Sequence, residues 1–239
     1  MNKKIKLAEW NSIMYQDEKN IESVFLPVGS FEQHGPHGPY GTDSYIAEYI
    51  TRLLSEKTGI PHLPCVNFGC SDIHKEYRGT ISINKNSYIS FLSDIFASLL
   101  DGNYKNIFVV NGHGGNIQCL NSLADRFKNK LKIIIINWWI IGREFEDFKY
   151  EERHHAGAEE MSVLMSLSEK VVYKENLVDT PVSDYNPYQV SKISQLTTTG
   201  SIGTTTTASA IRGSDYLFKL LEKIIGKYNL GVHNANISC

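Results

Sequence analysis

The sequence has little of what marks proteins that span membranes or bind nucleic acid. No apolar run reaches the roughly 20 residues that cross a bilayer, and the N-terminal MNKKIKLAEW has basic residues but no apolar h-region. Its 24 Lys and Arg are balanced by 26 Asp and Glu, so no excess of positive charge marks a nucleic-acid or membrane surface. We therefore expect a cytoplasmic protein whose partner is a small-molecule substrate, with no nucleic acid and no membrane involved.

The sequence also lacks a cysteine motif. Its four cysteines are scattered and form no C-x-x-C pair: Cys65, Cys70, Cys119 and Cys239. We expect neither a zinc–thiolate cluster nor a disulfide framework, and the thiols are interpreted as structural.

What the sequence does contain is an alternation of short apolar runs and segments of helical length, which is typical of βαβ units. The predicted strands are 23–30, 60–69, 106–112 and 131–139. The predicted helices are 42–59, 87–103, 116–130, 157–172 and 214–228. At 239 residues the chain suits a single three-layer α/β domain over 1–239, with a mostly parallel central sheet and helices on both faces. The polar run 195–213 is predicted to be a surface or lid loop.

Unusual stretches fall where sites form in open α/β sheets, beyond the carboxyl ends of the strands. They are SFEQHGPHGPYGTD (30–43), NGHGGN (111–116) and RHHAGAEE (153–160). Six of the eight histidines lie in such glycine- and proline-punctuated loops: His34, His37, His74, His113, His154 and His155. A single histidine is more often structural than a ligand, but so many together indicate a shared site.

The first stretch contains three candidate ligands. Glu32 and His34 are two positions apart, so in an extended segment their side chains project to the same side. Asp43 has two readings, as a ligand or as the N-cap of the following helix.

The other two stretches also have alternatives. His113 is either a site residue or incidental to a tight turn, and Gly114 and Gly115 allow a ligand to approach the backbone closely. Glu159 and Glu160 would favour a helix N-terminus in any case, although the adjacent histidines argue that at least one glutamate does more.

Imidazole and carboxylate ligands without thiolates suit zinc, manganese or iron. Two such ions roughly 3.5–4 Å apart, bridged by a carboxylate, can generate hydroxide near neutral pH and polarise a carbonyl group. A histidine could then carry the proton to the leaving nitrogen. This chemistry is hydrolysis.

Several motifs resemble those of the creatininase (creatinine amidohydrolase) family along most of the chain. They are LPVGSFEQHGPHGPYGTD, GCSDIHKEYRGTIS, NGHGGN, HHAGAEEMS and, more loosely, GSIGTTTTASAIRG. The resemblance implies a centre of two divalent ions, with zinc the expected metal and manganese or iron the alternatives. Its ligands would be Glu32, His34, Asp43, His113 and Glu160. Asp43 would bridge the ions.

The resemblance also implies residues that act on substrate. His155 would donate or accept a proton near the scissile bond, with His154 as a second catalytic candidate. His74 matches a recurring histidine of the family, and Trp138 or Trp139 would either line the pocket or pack in the core. Gly114 and Gly115 stand where creatininases proper carry a Tyr-Glu pair.

We therefore expect a metal-dependent amidohydrolase that cleaves a non-peptide C–N amide bond of a small cyclic or formamide substrate. The Gly-Gly form is common among relatives with other activities, which leaves a formamidopyrimidine deformylase or a peptide-trimming enzyme as alternatives. A catalytically silent metal- or ligand-binding protein of the same fold is a further alternative. The resemblance also implies a homo-oligomer, often a hexamer.

Overall fold

A three-stranded parallel sheet forms the centre of the protein. The computed structural model describes residues 5–17, 21–182 and 192–231. Strands β1 (Ser23–Val28), β2 (Asn106–Asn111) and β3 (Lys132–Asn137) lie in the order β1-β2-β3. Val28, Asn111 and Asn137 are aligned at the last position of the three strands, so the loops that follow begin at one edge of the sheet.

Seven α-helices accompany the sheet in the described part of the chain. They are α1 (Ser12–Asp17), α2 (Thr42–Thr58), α3 (Lys85–Asp101), α4 (Ile117–Phe127), α5 (Trp138–Gly142), α6 (Ala158–Leu167) and α7 (Ala210–Tyr228). Short 3-10 helices lie at Leu7–Glu9, Asp72–His74, Gly114–Asn116, Tyr150–Glu152, Glu169–Val171, Lys174–Asn176 and Ile193–Gln195. None of the helices in the described ranges is long and apolar enough to span a membrane.

The two faces of the sheet bury separate apolar clusters, because successive side chains of a strand point to opposite sides. Phe25, Phe108 and Ile136 belong to a cluster that also contains residues of α2, α6 and α7. Leu26 and Val109 belong to a second cluster that contains residues of α3 and α4. The predicted three-layer α/β architecture with helices on both faces is confirmed.

The predicted strand 60–69 is wrong as a continuous strand. This segment runs beside β1 but pairs with it only through isolated parallel bridges, His62 with Phe25 and Val66 with Val28. Pro64 lies between the two bridges and has no N–H to donate, which interrupts the ladder.

Other boundaries differ from the prediction by a few residues, among them the ends of a helix and of a strand near the site. The helix predicted over 157–172 ends at Leu167, because Ser168 is extended with φ −163° and ψ 119°. The strand predicted over 131–139 ends at Asn137, so Trp138 and Trp139 open helix α5.

The prediction of a surface or lid loop at 195–213 is only partly right: Gln195, Thr198, Thr206 and Thr207 are exposed, but the middle of the segment is not. Residues 200–203 are buried, and residues 210–213 already belong to α7. Ile202 N donates to His155 O and Thr204 N to Glu151 O, so the segment is hydrogen-bonded to the loop before α6. These contacts join parts of the chain far apart in sequence, which explains why composition alone suggested an exposed loop.

The cysteines in the described part of the chain are free thiols. Cys65, Cys70 and Cys119 are not disulfide-bonded, and the sulfur atoms of Cys70 and Cys119 are 3.8 Å apart. Cys239 lies outside the described residues.

Candidate metal centre

The loops that follow the strands meet at the carboxyl edge of the sheet, and Asn111 fixes one of them. The side chain of Asn111 accepts a hydrogen bond from His113 N at 3.1 Å and donates to His113 O at 2.9 Å. The same amide donates to Asn137 Oδ1 at 2.8 Å, which links the ends of β2 and β3. His113 is thereby held at the edge.

Asp43 is the second residue of α2, and the N-cap of that helix is Gly41. The N-cap reading of Asp43 is therefore wrong. Its carboxylate is almost completely buried and faces two imidazoles: Oδ1 lies 3.1 Å from His34 Nε2, and Oδ2 lies 3.0 Å from His113 Nδ1. The hydroxyl of Ser30 donates to Oδ2 at 2.6 Å and fixes the rotation of the carboxylate.

Both of these histidines are oriented by main-chain carbonyls. His34 Nδ1 lies 3.1 Å from Glu32 O, and His113 Nε2 lies 3.1 Å from Cys70 O. A carbonyl oxygen only accepts, so each of these nitrogens donates its N–H. With a cation bound, the opposite nitrogen of each ring, on the side that faces Asp43, would offer its lone pair, as in histidines that bind metals.

Glu32 is buried beneath a group of imidazoles. Its Oε1 lies 3.4 Å from His74 Nε2 and 3.8 Å from His155 Nδ1, and its Oε2 lies 3.3 Å from His113 Nε2. Oε2 is buried and makes no hydrogen bond. A carboxylate oxygen in this condition is costly unless a cation accompanies it.

Glu160 completes the cluster from the first turn of α6. Its Oε2 accepts a hydrogen bond from Ala156 N at 2.8 Å and lies 3.9 Å from His34 Nε2. Glu159, the neighbouring glutamate, is instead buried away from solvent and accepts a hydrogen bond from the Tyr216 hydroxyl at 2.5 Å.

The donor atoms form overlapping groups suited to hold a cation. Within each group the candidate ligand atoms lie within 4.8 Å of one another. One group is Glu32, Asp43 and His113; a second is His34, Asp43 and Glu160; a third is Glu32, His34 and His155. Asp43 is shared by the first two groups. The carboxylate and imidazole donors, the unpartnered Glu32 oxygen and the oriented histidines fit a divalent cation.

The pKa values of the candidate ligands show how strongly the cluster attracts positive charge. Burial disfavours the imidazolium of His34, yet Asp43 beside it raises the pKa of His34 to about 9. Burial likewise opposes ionisation of Glu32, but His113 and His74 outweigh it and lower the pKa of Glu32 to about 2. Burial raises the pKa of Glu160 to about 8, against the attraction of His34. Protons and a cation therefore compete for the same region.

His155 and His74 stand beside this cluster. Their rings lie 4.4 Å apart between centroids, and the His155 ring lies 4.5 Å from that of His34. Burial, reinforced by the neighbouring imidazoles of His74 and His34, holds the pKa of His155 well below its usual value. His155 is thus a neutral imidazole next to the candidate ligands.

The remaining predicted site residues differ in placement. His154 packs edge-on against the ring of Tyr150, with centroids 4.7 Å apart. Trp138 is 1% exposed and packs edge-on against Tyr216 in the core, so a role as pocket wall does not fit it. Trp139 is half-buried against Trp138 and keeps some exposed surface.

Gly114 and Gly115 begin the 3-10 helix after His113 and have opposite surroundings. A Cβ at Gly115 would lie 2.1 Å from Cys70 O and 2.4 Å from His113 Nε2, whereas a Cβ at Gly114 would meet nothing within 4 Å. Gly115 is required for packing around His113, and Gly114 leaves open space beside it.

Sequence reasoning missed three residues that organise this region. Ser30 binds Asp43, and Gln33 contacts both His74 and His155. His37, noted only as a loop histidine, is completely buried and contacts Ala156 O through Nε2 at 2.9 Å. Gln33 and His37 lie inside the EQHGPH stretch, but only the folded chain shows what they touch.

A buried cluster of carboxylates and imidazoles at the carboxyl edge of a parallel sheet is typical of metal-dependent α/β hydrolases. The sequence matches the model of the family described as creatininase, creatinine amidohydrolase, over residues 7–227. The chain belongs to the creatininase family, and its prediction as a metal-dependent amidohydrolase is confirmed at the level of that family.

Individual relatives agree with this membership. The chain is 31% identical over 206 residues to the mycofactocin precursor peptide peptidase of Mycolicibacterium smegmatis, covering 81% of this chain and 78% of that protein. It is 24% identical over 213 residues to the creatinine amidohydrolase of Pseudomonas putida, covering 80% and 82%. A mutant creatininase described as the Zn-Zn type has a similar fold, with a TM-score of 0.81 and 18% identity over 95% of this chain and 98% of that one.

Proposed function

We propose that the protein hydrolyses a carbon–nitrogen amide bond of a small substrate with two divalent ions held by Glu32, His34, Asp43, His113 and Glu160. The observation that carries the proposal is the position of Asp43, whose two oxygens face different histidines and which belongs to two of the candidate ligand groups. Zinc is the proposed metal, in line with the Zn-Zn description of the similar mutant creatininase, and manganese or iron are the alternatives.

A pair of such ions, when bound, lowers the pKa of water and polarises a carbonyl oxygen. The chain's own residues would supply the rest of the reaction. His155, which burial keeps neutral, would accept a proton through Nδ1 and return it to the leaving nitrogen. Ser30 and the carbonyls of Glu32 and Cys70 would keep the ligands in place.

The proposed substrate is a small cyclic amide or a formamide, consistent with the family described as creatinine amidohydrolase. A peptide substrate is the second candidate, which the 31% identity to a peptide peptidase favours. The open space at Gly114 also suits a substrate larger than a single small ring. His74, Trp139 and the backbone of Gly114 and Gly115 are the proposed substrate contacts.

The test is hydrolysis by zinc-loaded protein of creatinine, a formamidopyrimidine and short peptides, followed by mass spectrometry of the products. Turnover of one class, lost in His155→Ala, would support the proposal and select the substrate. Metal binding without turnover of any of the three would favour the silent binding protein instead.

Other expectations stay predictions. The family match over 7–227 supports one domain over 1–239. We further propose a cytoplasmic homo-oligomer, with a hexamer as the form that the family resemblance implies, and His154 as a second catalytic candidate.

A further inference from the structure

Gln33 lies between the proposed ligands Glu32 and His34, and its side chain is 3% exposed. Its Oε1 accepts a hydrogen bond from Gly35 N at 2.9 Å, and its Nε2 donates to Gly200 O at 3.0 Å. Main-chain N–H groups only donate and carbonyls only accept, so these two contacts determine which end of the amide is oxygen and which is nitrogen.

The main chain of the same residue determines where the proton of His155 lies. His155 Nε2 lies 2.9 Å from Gln33 O, an acceptor, so Nε2 carries the N–H. A neutral imidazole has one N–H. Nδ1 of His155 is therefore a lone pair, and it faces the cluster 3.8 Å from Glu32 Oε1.

The second hydrogen of the Gln33 amide then determines the proton of His74. Gln33 Nε2 lies 3.1 Å from His155 Nε2 and 3.0 Å from His74 Nδ1. His155 Nε2 already carries a proton and cannot accept another. The amide hydrogen is consequently donated to His74 Nδ1, which leaves the proton of His74 on Nε2, 3.4 Å from Glu32 Oε1.

We propose that Gln33 is a positioning residue that makes two adjacent histidines chemically unlike at the site. Through its side chain it presents His74 as an N–H donor, and through its carbonyl it presents His155 as a lone pair. Both groups converge on the same oxygen of Glu32. His74 can then donate to an oxygen of the substrate while His155 accepts a proton.

The positions of these protons follow from the hydrogen-bond contacts of Gln33. Only the nitrogen that carries the proton is assigned, and each ring remains neutral. Only their use in hydrolysis rests on the proposed function. Gly200 supports the arrangement: its φ is +89°, and a Cβ there would lie 2.0 Å from Gln33 Oε1. Glycine at this position allows the 195–213 segment to reach the amide.

The test is nitrogen-15 NMR of the full chain labelled at histidine, because a ring nitrogen with a lone pair resonates far from one that carries a proton. Signals of His74 and His155 are assigned with His74→Gln and His155→Gln. Spectra of the metal-free and zinc-loaded protein are compared with those of Gln33→Glu. Gln118→Glu is the matched control, since Gln118 is exposed and accepts a hydrogen bond from Lys85 outside the site.

We expect both rings of the wild-type protein to carry the proton on Nε2. In Gln33→Glu the added carboxylate oxygen accepts, so His74 should move its proton to Nδ1 while His155, held by the main chain, does not change. Gln118→Glu should match the wild type. A proton on Nδ1 of either ring in the wild-type protein would overturn the proposal, whatever the variants show. An unchanged proton position on His74 in folded Gln33→Glu would also overturn it. A protein with these tautomers but no hydrolase activity would overturn the proposed function alone.

Discussion

Oδ1 of Asp43 lies 3.1 Å from Nε2 of His34, nine positions earlier in the chain. The other oxygen, Oδ2, lies 3.0 Å from Nδ1 of His113, which follows the end of strand β2. One carboxylate thus connects two imidazoles that come from separate loops, which is the geometry expected of a bridging ligand.

Replacing Asp43 by asparagine keeps the shape but removes the shared negative charge. We expect Asp43→Asn to fold, to lose at least one bound ion and to reduce turnover to background. The measurement is zinc titration beside the hydrolysis assay. Ser30→Ala is the matched milder change, because it removes only the hydrogen bond to Oδ2, and it should weaken metal affinity by about 10- to 100-fold. Full metal and activity in Asp43→Asn would exclude a bridging role.

His155→Ala should separate proton transfer from metal binding. We expect kcat to fall by about 10²- to 10⁴-fold, which is the usual contribution of a general acid or base, while the metal content stays that of the wild type. His154→Ala, one position earlier, should reduce kcat less because His154 packs against Tyr150. An equal or larger loss in His154→Ala would reverse the assignment of the two histidines.

Two adjacent glycines should respond differently to the same change. Gly115→Ala forces a methyl group against Cys70 O and His113 Nε2, so we expect a loss of about 1–3 kcal/mol in stability and weaker metal binding. Gly114→Ala meets nothing within 4 Å and should match the wild type in melting temperature and metal content. If the two variants behave alike, the packing around His113 is not as described.

Without bound metal, the folding stability of the protein should fall as the pH becomes alkaline. The pKa of His34 rises from 6.5 to about 9 on folding, because Asp43 outweighs the burial of the ring. A raised pKa gives stability that is complete below about pH 6.5 and is lost as pH rises through about 9. Glu160, whose pKa is raised from 4.5 to about 8, also lowers stability as pH rises, over a window that begins near pH 4.5 and overlaps that of His34 up to about pH 8. Melting temperatures in chelator should therefore fall between about pH 6.5 and 9, less steeply in His34→Gln. An equally steep fall in His34→Gln would contradict this origin.

Much of the fold follows from the sequence because the buried strands are continuous apolar runs. The segments around β1 and β2 were predicted from such runs, and their shared edge predicts that the loops carrying Asp43 and His113 meet. The segment 60–69 looked similar, but proline prevents a continuous ladder there.

Other features depend on contacts between distant parts of the chain. Gln33 binds Gly200 across 167 positions, and no local pattern around either residue indicates that pairing. The sequence left Trp138 open between a pocket wall and the core, and the turn into α5 places it in the core. The local periodicity of a sequence carries no information about contacts between residues that are far apart in the chain.

The most direct test of the two-metal centre is the metal content of protein purified without chelator or metal-affinity tag, measured by elemental analysis after incubation with zinc. We predict about two ions per chain, the number that a carboxylate bridge between two ligand groups requires. No zinc, manganese or iron above background, after incubation with each, would contradict the account.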